Sequence, residues 1–456
     1  MSNKVKISFY GAAGTVTGSK FLLETQEYNI LIDAGMFQGL KELRKLNWKD
    51  FPFPPKDIDT VLLTHGHLDH SGYLPRLVMQ GFNGPILGTS PSLAIASIIL
   101  RDSAKIQEEN AEKANKEDFS SHSPALPFYN IEQAEKAITL FEKVEPEDWI
   151  TLSENIKARF IKNGHILGAT FIELDIFGKL WVFSGDIGRE QDLLLEPPGR
   201  PQWADYLIME STYGDRRHPV EDVDEILSSE IENVINTNGS LIIPSFAVER
   251  LQSLMFKLWQ LYKKNKIPNI PIFIDSPMGN EVLDVFERFP QWHKLDLNEF
   301  REMKKHFKII TSYKDTWKTI DYNRPKVVIA GSGMVTGGRV LTYLRYYLEK
   351  PETTVLLVGF QAEGTRGRQL LEGSQEIKIF GKYCQVNAKI KHIDSLSAHA
   401  DQVGLLAWTS EIKNIPEQVF LVHGEPHSRD ALRVKLKDVY KWNTSSPELH
   451  ESFSAS

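Results

Sequence analysis

Three features of the chain predict an α/β protein built in layers. Its opening stretch carries short alternating runs that follow one another as a meander of strands. Its middle carries continuous apolar runs, residues 327–330 and 355–358, separated by helical patterns. Such runs suit strands of a parallel sheet covered by helices on both faces. Finally, His and Asp recur beside Gly just after apolar runs. Strand ends of a layered α/β domain gather at one rim, where ligands from distant sequence can meet.

Residues 4–10 alternate like a strand, 11–19 form a small-residue turn, and 20–25 and 28–32 read as the next strands. The third ends at Asp33, before Ala34 and Gly35. A carboxylate at the end of a buried strand needs partners for its charge. Asp33 therefore reads either as an Asx turn or as a group that orients metal-bound imidazoles from behind. The apolar run Val61-Leu62-Leu63 is a buried strand, and residues 71–75 read as a loop turning into a helix. Residues 92–116 look helical, 121–124 form a loop with an exposed His122, and 131–141 read as another helix. Strands resume at 156–161 and 180–183.

Between the strand at 61–63 and that loop lies Thr64-His65-Gly66-His67-Leu68-Asp69-His70. It holds three of the chain's 13 histidines together with a carboxylate, which is too dense for an ordinary polar loop. Neutral imidazole and carboxylate are the usual zinc ligands of a chain with few thiols. His65 and His67 alternate with Gly66, so in extended backbone both rings project to one side. Asp69 and His70 come past the turn, where they can face a second ion. Gly66 leaves room for the backbone to fold tightly. His165 in Asn163-Gly164-His165 and Asp186 in Ser184-Gly185-Asp186 follow later strands in the same manner.

The bulk numbers bound the setting. With 456 residues, 41% hydrophobic and 25% charged, the chain is long enough for two or three globular domains. Its net charge of −7 gives no global attraction to nucleic acid, so any such contact must be a local basic groove. Cys384 is the single cysteine. It reads as a core filler, and it rules out disulfides and thiolate metal sites. With no signal peptide and no apolar span of membrane length, the expected setting is cytoplasmic.

The order Asp33, His65/His67/Asp69/His70, His165, Asp186 resembles the metallo-β-lactamase superfamily. Further on, Glu210 in Met209-Glu210-Ser211-Thr212, His399 in Ser397-Ala398-His399-Ala400 and His423 in Leu421-Val422-His423-Gly424 resemble the A, B and C motifs of its nucleic-acid-cleaving β-CASP branch. The resemblance spans nearly the whole chain. It is strongest to bacterial and archaeal relatives of the nuclease subunit of the cleavage-and-polyadenylation factor. The motif histidine His399 is similar to that of RNA-directed members, where DNA-directed members typically carry Val. The resemblance implies an αββα sandwich at residues 1–207, completed by 395–456 and interrupted by a parallel-sheet β-CASP domain at 208–394. Neither the further C-terminal domain of RNase J nor an archaeal N-terminal KH extension is expected.

That kinship implies a zinc-dependent ribonuclease, endonucleolytic with 5′-exonuclease action as a further expectation, acting on single-stranded RNA. His65, His67 and His165 are expected at one zinc, Asp69, His70 and His423 at the other, and Asp186 between them. Two zinc ions supply hydroxide at neutral pH and hold a phosphoryl oxygen. His399 is expected to act at the leaving oxygen as general acid or oxygen ligand, with Glu210 fixing its tautomer. Relatives often dimerise, so a homodimer is also expected. Rival classes are a DNA-directed nuclease, a small-molecule hydrolase and a non-catalytic RNA-binding partner. His399 argues against the first, the inserted domain and His399 against the second, and the full ligand set against the third.

Within the insert, 223–234 and 248–261 read as helices, and 241–247 and 272–278 as strands with polar ends. Two glycine-rich loops follow apolar strands, one with Ser332, Gly333 and Thr336, the other with Gln361, Thr365, Arg366 and Arg368. With Arg250 they form a candidate phosphate track, or they are structural turns. Their glycine spacing does not fit a dinucleotide loop. Two positions depart from the family: Glu249, where Gly is common, and Gly279, where Ala is common.

Overall fold

A computed structural model describes residues 4–116 and 124–455, and His122 lies outside them. The chain forms two compact units, Met1–Arg217 with His399–Ser456, and His218–Ala398. No helix among the described residues is long and apolar enough to cross a membrane.

The first unit contains two seven-stranded sheets. One runs in the order Ser452–Ala455, Val5–Phe9, Phe21–Glu24, Asn29–Ile32, Thr60–Leu62, Ile86–Thr89, Phe141–Val144. Its antiparallel half is the predicted meander, and the last four strands are mutually parallel. The other runs Thr444–Ser445, Gln418–Val422, Tyr206–Glu210, Lys179–Phe183, Thr170–Ile176, Ile156–Lys162, Trp149–Ser153. Ile7, Phe9, Ile30, Phe160, Ile172 and Trp181 fill the space between the sheets. The helices Leu74–Met79, Ser90–Lys116 and Ile131–Ile138 supply residues to a second core with Leu22, Leu31 and Val61 on the outer face of the first sheet. The helices Gln402–Thr409 and Pro426–Tyr440 do the same over Val182, Leu207 and Leu421 of the second sheet. Alternate residues of each strand thus feed different cores, which is the period of two made physical. The result is the expected αββα order of layers.

Three local expectations need correction. The helix read at 131–141 ends at Ile138, and Phe141–Val144 is an edge strand whose Glu142 and Lys143 are exposed. The helix expected only after the loop at 71–75 begins earlier, since Asp69 and His70 sit in the four-residue helix Leu68–Ser71. Tyr206–Glu210 pairs in parallel with both Lys179–Phe183 and Gln418–Val422, so it is a central strand of the first unit. The break between units accordingly falls after Arg217 and not after residue 207, and the return falls at His399 and not at 395.

The second unit is a six-stranded, wholly parallel sheet in the order Lys308–Ile309, Ile272–Asp275, Lys326–Ala330, Ser240–Pro244, Thr353–Val358, Lys389–Ile393. Its central strands are buried at every position, which explains their unbroken apolar runs. Cys384 is buried in a small hairpin packed on this core. The two departures from the family have local causes. Glu249 has φ +63 and ψ −54, and Arg250 N–H donates to Val248 O at 2.8 Å. That is a γ-turn of the strained hand, which glycine adopts more easily. At Gly279 an added Cβ would lie 2.3 Å from Leu251 Cδ2, so here the leucine occupies the space an alanine methyl would need.

Candidate metal centre

The site forms where the two sheets of the first unit present their strand ends. Past Thr60–Leu62 the backbone carries His65 and His67, then turns into the short helix that presents Asp69 and His70. A Cβ at Gly66 would lie 2.8 Å from Ala96 N and 2.9 Å from Ser92 O. The absent side chain therefore lets the His-bearing turn press against the Ser90–Lys116 helix. His165 and Asp186 follow the strands Ile156–Lys162 and Lys179–Phe183. Asn163 ties their loops together, its amide donating to Ser184 O at 3.0 Å and Asp186 O at 2.7 Å. His423 follows Gln418–Val422 with φ +47, a left-handed conformation uncommon for a non-glycine residue. Asp33 shares it, with φ +58.

These seven side chains converge into two groups. His67 Nδ1 lies 3.2 Å from His65 Nε2 and 3.3 Å from His165 Nε2. Asp186 Oδ2 lies 3.5 Å from His65 Nε2 and 3.4 Å from His165 Nε2. In the second group His70 Nε2 is 3.3 Å from His423 Nε2, which is 3.5 Å from Asp69 Oδ2. Asp186 Oδ1 faces this group, 3.3 Å from His70 Nε2. Donors on a tetrahedral zinc with bonds of about 2.0–2.1 Å stand about 3.3–3.4 Å apart. The observed spacings are those edges, and one carboxylate presents a different oxygen to each group. Asp186 Oδ1 is buried without a well-aligned hydrogen bond, as an oxygen awaiting a cation would be.

The electrostatics suit the same purpose. Burial, reinforced by neighbouring imidazoles, holds His65 and His165 well below the ordinary histidine range, and burial brings His67 down to about 4. These rings are neutral, with lone pairs to donate. Burial opposes the charge of Asp186, but His423 and His70 outweigh it and hold the carboxyl well below its usual range. Burial likewise opposes a charged His70, but Asp186 and Asp33 hold its pKa well above the usual range, so a bound cation must displace the Nε2 proton before this ring can ligate.

Behind the clustered donors stand groups that fix them. Asp33 Oδ2 is 2.7 Å from His70 Nδ1, and Asp33 also accepts from Thr64 N–H and Thr64 Oγ1, each at 2.8 Å. Its contacts are thus long-range, beyond those of an Asx turn. Glu210 Oε1 lies 3.1 Å from His399 Nδ1 and accepts Ile187 N–H at 2.6 Å. This leaves His399 Nε2 directed toward the cluster, 3.9 Å from Asp186 Oδ2. Burial opposes protonation of His399, but Glu210 and Asp186 push its pKa up to about 9.

The candidate phosphate residues all lie in the second unit, and most hold the loops themselves. Gln361 is buried and donates to Gly333 O and Gly359 O, at 3.3 and 3.4 Å. Thr365 is a buried N-cap that accepts Arg368 N–H. Arg366 donates to the carbonyls of Lys378, Val335 and Thr336, and Arg250 is nearly buried. Gly333 packs on Phe246. Ser332 and Thr336 are partly or fully exposed, their hydroxyls 3.2 Å apart.

Several residues that act on the centre carried no sequence signal. Thr64 and Asn163 are small polar neighbours of histidines, and Thr212 Oγ1 lies 3.2 Å from His423 Nδ1 across a long separation. Lys20 is buried, donating to Gly18 O at 3.0 Å and Gly35 O at 2.5 Å beneath the Phe37 and Tyr73 rings. It clamps the two loops on either side of Ser19, whose N–H bonds Asp69 O at 2.8 Å. The local run reads only as a strand start, and no spacing rule marks such a lysine.

Known proteins resemble this chain. Residues 13–91 match the metallo-β-lactamase superfamily, 251–370 the Beta-Casp domain, and 383–447 the Zn-dependent metallo-hydrolase RNA specificity domain. The chain is 34% identical over 438 residues to Ribonuclease TTHA0252 of Thermus thermophilus, across 94% of this chain and 95% of that one. It is 30% identical over 455 residues to an RNase J-like protein of Methanocaldococcus jannaschii, across 97% and 98%. Against transcription termination factor FttA of Methanosarcina mazei it is 30% identical over 440 residues, across 92% of this chain and 67% of that one. The crystal structure of a protein of unknown function from Enterococcus faecalis has the same fold, with a TM-score of 0.54 at 13% identity, covering 99% and 100% of the two chains. Kinship at this level runs through both units, and the chain belongs to the β-CASP branch of the metallo-β-lactamase superfamily.

Proposed function

We propose that this protein is a metal-dependent ribonuclease that hydrolyses phosphodiester bonds of single-stranded RNA with two zinc ions. The observation that carries the reading is Asp186, whose two oxygens each complete a separate group of donors at zinc-ligand spacing. The ribonuclease names of relatives at 30–34% identity support RNA as substrate. His65, His67 and His165 would hold one ion, Asp69, His70 and His423 the other, with Asp186 shared. When bound, the pair supplies a hydroxide nucleophile at neutral pH and positive charge for the phosphate oxygens.

The chain's own residues do the rest. Asp33 orients His70 and accepts its Nδ1 proton in a hydrogen bond, which leaves Nε2 free as a ligand. Glu210 does the same for His399, keeping a proton on Nε2 for transfer to the leaving O3′. In-line displacement then leaves a 5′-phosphate and a 3′-hydroxyl, and the chemistry is the same at an internal bond or at a 5′ end. Ser332 and Thr336, the two partly or fully exposed hydroxyls of the loops, are proposed to meet the RNA backbone in the second unit. The setting proposed is the cytoplasm.

Metal analysis and cleavage of labelled single-stranded RNA, single-stranded DNA and a chromogenic lactam test this. About two zinc per chain and selective RNA cleavage are expected, with cleavage abolished in Asp69→Ala. Robust RNA cleavage by that variant overturns the mechanism.

A further inference from the structure

The second unit carries a surface that the chemistry above does not use. Helices Tyr313–Ile320 and Gly338–Tyr347 lie side by side, with Tyr313 OH 3.2 Å from Thr342 Oγ1. Tyr313 and Trp317 are four residues apart on one helix, and Thr342 and Tyr346 four apart on the other, so each pair forms a stripe along the junction. Trp317 and Tyr346 meet edge to face at 5.3 Å, and the Arg339 guanidinium lies 4.4 Å over the Tyr313 ring. The rings remain open to solvent, with Tyr313 51%, Trp317 40% and Tyr346 47% exposed.

The stripe is held rigidly. Arg339 NH1 donates to Asp275 Oδ1 at 3.0 Å and to Thr316 Oγ1 at 2.5 Å. Asp275 Oδ2 accepts from Tyr343 OH and Thr316 Oγ1, both at 2.7 Å. Arg339 therefore cannot swing away from Tyr313 without stripping a buried carboxylate. Four cations on the two helices stand against three acids. Lys318 pairs with Asp315, Arg339 with the buried Asp275, Arg345 donates to Cys384 Sγ, and Asp321 caps the first helix. This leaves Lys314 without an ion pair among the described residues, on a chain of net charge −7. Lysines are depleted at the core of protein interfaces, whereas open rings interleaved with cations suit a flexible polyanion with flat bases. Arg339 lies in the first turn of the helix that follows the glycine-rich loop carrying Ser332 and Thr336.

We infer that this stripe is a stacking platform for unpaired bases of an RNA strand. The inference rests on the ribonuclease reading and extends it to a binding surface built from Tyr313, Trp317 and Tyr346. The test is fluorescence anisotropy with a labelled single-stranded RNA 20-mer on the full-length Asp69→Ala chain. In that background Trp317→Ala and Tyr346→Ala are each expected to weaken binding about tenfold, while Trp317→Phe and Tyr346→Phe stay close to the parent. An abasic strand of equal length should bind all variants alike. Folded Ala variants with unchanged RNA affinity overturn the platform. If those variants instead shift from dimer to monomer in sedimentation with RNA affinity intact, the stripe is a self-association surface and the platform is equally overturned. Failure of the unmutated chain to cleave or bind RNA would sink the ribonuclease reading itself, a separate result from either of these.

Discussion

At the residue scale the pair His399–Glu210 is where geometry and charge meet most directly. Glu210 holds a proton on His399, so removing its charge must let the imidazolium deprotonate at lower pH. In Glu210→Gln the alkaline limb of the pH–rate profile is therefore expected to move to lower pH, with metal content unchanged. An unmoved limb would show that the carboxylate does not set this proton. His399→Ala should lower kcat by about 10²–10⁴-fold, while zinc analysis still finds the parent content. Lys20 makes a different case. Lys20→Met leaves two buried carbonyls without donors, and chemical denaturation at neutral pH should show a loss of about 1–3 kcal/mol. Of these residues only His399 and Glu210 were legible in the sequence, as motif residues. Lys20 was not, because its partners are backbone carbonyls and ring faces brought in by folding.

At the element scale the turns decide more than the strands. Gly66→Ala would put a methyl 2.8 Å from Ala96 N and 2.9 Å from Ser92 O, a clash with helix backbone that moving the Ile95 side chain does not relieve. A stability loss of about 1–3 kcal/mol is expected, with zinc bound more weakly, as equilibrium dialysis would read it. The reverse is expected at Glu249. Its φ of +63 lies where glycine is at ease, and Glu249→Gly should be neutral or stabilise by about 1 kcal/mol in a denaturation curve. Periodicity found the core strands of both units because burial on one or two faces writes itself into the sequence. It overran the helix beginning at Ile131 because the edge strand at Phe141–Val144 has an exposed, charged middle. It could not see that Leu68–Ser71 is helical, since four residues carry no period.

For the whole molecule, zinc should couple to stability, because the clustered donors exist only in the folded chain. Chelator-treated protein is expected to melt at lower temperature than the zinc-loaded form, and re-addition of zinc should restore it. By itself the sequence determined the α/β class, the two kinds of sheet and the side chains with ligand chemistry, because hydrophobic period and residue type are local properties. Only the tertiary structure decided that Tyr206–Glu210 belongs to the first unit, since its pairing partner Gln418–Val422 is remote in the chain. It alone decided that each Asp186 oxygen faces a different group, and that Gln361 and Arg366 brace their own loops. Those facts are distances between remote segments, and no local pattern of residues encodes a distance.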